Sequence, residues 1–167
     1  MVGCSKPSPT PSDEDALDTS PEEVDGDDSN DLEQGTDAAA GRYADITDVD
    51  ISGEPGAYTF SVTIESPDTG CEQYADWWEV VSSDGELIYR RILAHSHVDE
   101  QPFTRSGGPV DIQADDNVYV RAHMNTSGYG GQVAWISPNG ALEFIDMTDE
   151  WDARLEDAAP QPNDCAF

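Results

Sequence analysis

The sequence predicts an all-β fold, an antiparallel sandwich of about seven or eight short strands with one short C-terminal helix. Three observations lead there. Short runs alternate apolar and polar side chains with period two, the pattern of half-buried antiparallel strands. Clusters of Gly, Pro, Asn and Asp separate these runs and mark turns. All four Trp, all six Tyr and all four Phe lie in residues 42–167, so a core can form only there.

"ITDVDIS" places Ile46, Val49 and Ile51 among acids and reads as an edge-like strand. In "AYTFSVTIES", Tyr58, Phe60, Val62 and Ile64 face one way and Thr59, Ser61 and Thr63 the other. "YADWWEVVSS" is the third strand. The Asp-Gly of "SDGE" is a strong hairpin signal, and "ELIYRRILA" returns from it. "GGPVDIQ" is a short strand after a Gly-Gly break. In "DNVYVRAHMN", Val118, Val120, Ala122 and Met124 alternate with Tyr119, Arg121 and His123. "SGYGG" turns into "QVAWIS", and "SPNG" turns into "ALEFIDM". In "TDEWDARLEDAAP" the period changes: Trp151, Leu155 and Ala158 share a helical face and Glu150 lies four before Arg154, so a short helix is expected, stopped at Pro160.

Residues 1–41 read differently. They hold 12 acids, one base and no aromatic residue, with Pro, Ser and Thr interspersed. Such a segment buries too little apolar surface to offset its ordering entropy, so a disordered, extended linker is expected. Its opening "MVGC" resembles the end of a bacterial lipoprotein signal, in which a small residue precedes the lipidated Cys. Gly3 and Cys4 match that end; Met1 stands where Leu is usual, and no charged or apolar region precedes it in the sequence. The resemblance implies a lipid on Cys4 and a domain, residues 42–167, held off a cell surface or outer membrane, or otherwise secreted.

Three cysteines are present. With Cys4 lipidated, Cys71 and Cys165 remain, and an oxidising compartment would let them pair. Closing the loop of about 94 residues between them contributes about 4–5 kcal/mol in the chain-entropy model. The alternative is two unrelated thiols.

Thirty-six acids against seven bases give a net charge of -29. Such a surface repels nucleic acid and anionic lipid, which leaves a lipid anchor as the route to a membrane. It attracts cations and basic partners, and it suits a salt-rich habitat, where screening relieves self-repulsion.

The run of strands resembles a fibronectin type III or immunoglobulin-like sandwich over about residues 43–147. "DNVYVRAHMNTSGYGG" is similar to the penultimate strand and last hairpin of such domains, with Tyr119 near the position of their corner tyrosine, and Trp77-Trp78 suits their core Trp. The resemblance concerns the fold and implies no catalytic residue.

"AHSHVDEQPF" carries two of the three histidines. On a strand, His95 and His97 would share a face and could clamp a metal, with His123 from another strand as third nitrogen and Glu100 as a carboxylate ligand. Zn or Cu would suit such ligands. The stretch is similar to a cupin's first motif, but His97 and Glu100 stand too close together and Tyr89 occupies a required Gly position. The bland reading is that the histidines hydrogen-bond nearby acids. "DVDISGEPG" resembles the start of a calcium loop, but Thr59 stands where the bidentate Glu belongs, which leaves at most a looser Ca site with Asp45. Arg90, Arg91, Arg105 and Arg121 are expected to pair with carboxylates or to form a local anion patch.

No hydrolase, zinc-protease or phosphate-loop motif occurs. The sequence therefore favours a binding or structural module over an enzyme, with a surface protein, glycan or cation as partner and Tyr129 on the "SGYGG" hairpin as a contact. The rival is a small metal-dependent enzyme built on His95, His97 and His123, with Glu100 as ligand or base.

Overall fold

The computed structural model describes residues 41–136, 141–147 and 153–166. Among them are nine strands: β1 (Asp45–Ser52), β2 (Tyr58–Glu65), β3 (Ala75–Ser82), β4 (Leu87–Ile92), β5 (Phe103–Val110), β6 (Val118–Met124), β7 (Gly128–Tyr129), β8 (Gln132–Ile136) and β9 (Leu142–Asp146). They form two antiparallel sheets, β1-β2-β5 and β4-β3-β6-β8-β9, with β7 paired to β6. The all-β expectation holds. The linker expected over 1–41 and the anchor at Cys4 lie outside the described residues, apart from Gly41.

The two sheets bury one core. Ile46, Val49, Phe60, Val62, Ile64, Phe103 and Val110 come from the first, and Trp78, Val80, Val118, Val120, Ala122, Met124, Ala134 and Ile136 from the second. Burying one such aliphatic or aromatic side chain contributes roughly 1.5–3 kcal/mol. Two bulges set which residues reach this core. In β1 the register shifts between Ile46 and Asp48, so Ile46 and Val49, three apart, both point inward. In β3 it shifts between Ala75 and Trp77. Ala75, Trp78 and Val80 thus join the core, while Trp77 and Glu79 turn to the outer face of the larger sheet.

β5 differs from expectation. It begins at Phe103 and runs through Gly107 and Gly108 rather than starting at them. The physical reason is sheet packing. A Cβ on Gly107 would lie 2.6 Å from the Tyr89 hydroxyl and 3.0 Å from the Trp78 ring, so this glycine is a site of close approach inside a strand, not a break.

The C-terminal helix is also different. Its described part is a single 3-10 helix, Ala153–Asp157, and Trp151 lies outside the described residues. The turn's carbonyls are satisfied from the sheet rather than by further helix: Arg90 donates to the carbonyls of Leu155 (2.5 Å), Ala158 (2.6 Å) and Pro160 (3.1 Å). Gln161 donates to those of Glu156 and Ala158. The chain end is held by the Ala166 amide on the Ala94 carbonyl and by a disulfide between Cys71 and Cys165, whose Cα atoms are 5.5 Å apart. This is the pairing that the cysteine count allowed.

Candidate functional site

Two buried polar regions stand out. The first lies on the outer face of the larger sheet. Register puts Glu79 of β3 directly between Arg90 of β4 and Arg121 of β6. One carboxylate oxygen meets Arg90 at 2.7 Å and the other meets Arg121 at 2.7 Å, all three side chains being almost wholly buried. Aromatic rings close over the charges. The Arg90 guanidinium lies 4.3 Å from the Trp77 ring and that of Arg121 3.6 Å from the Tyr129 ring. Arg90 also donates to the Tyr129 hydroxyl. Burial, and then the negative charge of Glu79, push the Tyr129 phenol far above its ordinary range. Tyr129, expected on the hairpin as a partner contact, is half-buried inside this cluster.

His123 belongs to the same face. Its ring stacks on Trp77, with centroids 3.7 Å apart and planes within 7°. Its Nδ1 hydrogen-bonds Asp76, the residue at the β3 bulge, at 2.7 Å, and its Nε2 lies 3.8 Å from Glu156 of the 3-10 helix. Gly128 leaves room for that carboxylate: its φ of +74° suits glycine, and a Cβ there would lie 2.7 Å from the Glu156 Oε1.

The second region is the corner between β4 and β5. His95 and His97 are not on a strand, as expected, but in the connection after Ile92. The chain leaves β4 there because the Asp68 carboxylate captures backbone and hydroxyl donors. It accepts from the His97 amide (2.8 Å), the Ala75 amide (2.9 Å) and the Ser66 hydroxyl (2.8 Å). Gln101 ties the same corner together through the Ser66 amide and the His97 carbonyl. The two imidazoles still meet, with centroids 4.5 Å apart. His95 is exposed, and His97 is 3% exposed with its ring stacked on Phe103 at 3.8 Å.

The His97 ring has no hydrogen-bond partner on either nitrogen among the described residues; Asp68 is 3.9 Å from its Nδ1. Burial, the Arg105 guanidinium and His95 hold its pKa below the usual histidine range. Glu100 does not join the histidines as a ligand. Its carboxylate takes Arg105 at 2.8 Å on an exposed surface, and that guanidinium holds its pKa low.

The structure thus joins His95 to His97 and places His123 and Glu100 in other pairings. Among the described residues, no group of three or more His, Cys, Asp or Glu side chains is placed to hold a metal ion. Three of the arginines pair with carboxylates as expected, Arg90 and Arg121 with Glu79 and Arg105 with Glu100. Arg91 donates instead to the carbonyls of Ser106 and Ile92. Sequence reasoning missed Glu79, Asp76 and Asp68. The signal for Glu79 was present: an acid centred in "WWEVV" and a base centred in "VYVRAHM" would each be buried alone unless paired.

The chain is similar to a protein of Halomicrobium mukohataei named "Putative lipoprotein", 38% identical over 111 residues. The match covers 65% of this chain and 55% of that protein, so the chain spans about half the length of the relative it matches. No family model matches the chain, and no solved structure matches it significantly.

Proposed function

We propose that this protein is a surface-anchored acidic binding or structural module, an immunoglobulin-like sandwich tethered by a lipid on Cys4 and by the acidic residues that follow. The observation that carries this reading is the 38% identity to a protein named as a lipoprotein, alongside the Gly3-Cys4 start. The strand order supports the finer fold. The sheets β1-β2-β5 and β4-β3-β6-β8-β9 follow the order of an immunoglobulin-type sandwich that lacks its fourth outer strand, with β9 added beyond the last strand of the other sheet. Trp78, 0% exposed on the third strand, takes the place of the core Trp of such domains. The disulfide suits an oxidising, extracytoplasmic setting. A net charge of -29 selects basic or cationic partners over nucleic acid.

The test is expression of the full reading frame in its own host, as wild type and as Cys4→Ser. Detergent-phase partition and lipid labelling are then measured. Lipid label and membrane partition in the wild type, both lost in Cys4→Ser, support the tether. Equal partition of the two proteins overturns it.

A further inference from the structure

We propose that His95 and His97 form a two-histidine clamp for a late first-row divalent metal ion, Cu(II) foremost, at the corner between β4 and β5. The inference does not depend on the tethered-module reading. Two independent observations carry it. The first is spacing. With metal–nitrogen bonds of about 2.0–2.1 Å, two imidazoles on one ion have centroids roughly 4.5 Å apart at a right angle and roughly 5.2 Å apart at a tetrahedral one; here they are 4.5 Å apart, the right-angle value that square-planar Cu(II) takes.

The second is an orphan. The His97 ring is buried with both nitrogens unpartnered among the described residues, and a buried polar group left without a partner is destabilising. Its Nδ1 faces the Asp68 carboxylate at 3.9 Å, the side on which a ligating histidine usually has a carboxylate to fix its tautomer. A proton on Nδ1, the nitrogen facing Asp68, would leave the Nε2 lone pair for the metal. The stack on Phe103 holds the ring's plane, so one ligand is rigid and buried. The other, on exposed His95, closes from solvent.

Arg105 disfavours positive charge at His97, but the surroundings offset it, beginning with the Asp68 carboxylate 3.9 Å from the ring. Arg105 itself is paired with Glu100 at 2.8 Å, and the whole chain is strongly acidic. Imidazole pairs favour Cu(II) over Ni(II) and Zn(II). Water completes the coordination.

The experiment uses the full chain, stripped of metal, and titrated with Cu(II) alone in high salt with excess magnesium to saturate diffuse carboxylate sites. Binding is read by calorimetry and by the nitrogen couplings of the Cu(II) paramagnetic resonance spectrum. The expected result is one Cu(II) per chain with two imidazole nitrogens. His95→Ala should weaken it at least about tenfold, while His123→Ala leaves it unchanged. His97→Phe, which keeps a ring against Phe103, should lose the site as His95→Ala does. If that variant fails to fold, shifts of the His95 and His97 ring nitrogens on Zn(II) addition to wild type take its place. The proposal is overturned by wild-type binding no tighter than that of magnesium. It is equally overturned if His95→Ala binds like wild type, if His123→Ala weakens binding as much as His95→Ala, or if neither ring responds to Zn(II), in which case the orphan nitrogens hold only a buried water.

Discussion

His97 and His123 are built from the same parts and end in opposite states. Each ring is stacked flat on an aromatic side chain, Phe103 or Trp77, at 3.8 and 3.7 Å. Each has an aspartate beside its Nδ1. Asp76 binds the His123 ring at 2.7 Å, whereas Asp68 stands 3.9 Å from the ring of His97. The difference lies in what else each carboxylate holds. Asp68 is occupied by two backbone amides and two serine hydroxyls, of Ser66 and Ser96, so it shapes the chain and leaves the ring unpartnered. Asp76 sits at a bulge and is directed at the ring. A histidine–aspartate pair close in space is therefore structural or available according to the aspartate's other donors.

The surroundings sharpen the contrast. His123 lies under the C-terminal segment beside the fully paired Glu79 centre, and His97 lies at a corner beneath exposed His95. Glu79→Ala should have the largest effect, because it leaves Arg90 and Arg121 buried without their carboxylate. A destabilisation of about 3–5 kcal/mol is expected in urea unfolding. A loss below about 1 kcal/mol would mean that the tail carbonyls and the aromatic rings hold the two arginines unaided.

Asp68→Ala comes next. Removing the buried acceptor of two amides and two hydroxyls should cost about 2–4 kcal/mol and loosen the 93–102 connection, seen as faster amide exchange at His97 and Ala75. Unchanged exchange there would separate the corner's shape from its carboxylate.

The third effect is on pH dependence. The His97 pKa is lowered in the folded chain, chiefly by burial, so between that value and the unfolded value of about 6.5 the unfolded chain binds more protons. The stability due to neutral His97 is present above about pH 6.5 and is lost as pH falls through the window below it. Metal-free wild type should therefore lose more stability than His97→Phe between about pH 7.5 and pH 5. Parallel curves for the two proteins would place the slope elsewhere.

The smallest effect is expected at the exposed pair beside the corner. Arg105→Ala should change stability by less than about 1 kcal/mol, an effect that fades with added salt. A larger, salt-insensitive loss would show that Arg105 supports the Phe103 and His97 stack, over which its guanidinium lies 5.4 Å from the Phe103 centroid.

Much of the fold was legible in local pattern. The alternation of Tyr58, Phe60, Val62 and Ile64, and that of Val118, Val120, Ala122 and Met124, names the inward faces of β2 and β6, because side chains alternate along a strand whatever its neighbours are. The bulges in β1 and β3 were not legible; they interrupt the alternation at Thr47 and Asp76, and only pairing with the next strand reveals an extra residue. The candidate site was half legible. His95 and His97 meet, as their closeness in sequence suggests. The relation of His123 to them, and of Glu79 to two arginines on different strands, depends on register across the sheet.

By itself the sequence determined the class of the fold, the alternating strands such as β2 and β6, the acidic character and the cysteines free to pair. These follow from composition and from periods set by the backbone. Tertiary structure decided which residues became partners. It gave Asp68 to the backbone and Asp76 to a ring, made Gly107 a contact rather than a break, and turned the expected helix into a 3-10 turn on Arg90. Hydrogen-bond satisfaction and close packing are properties of the assembled sheets, and a buried carboxylate takes whichever donors the fold brings within reach.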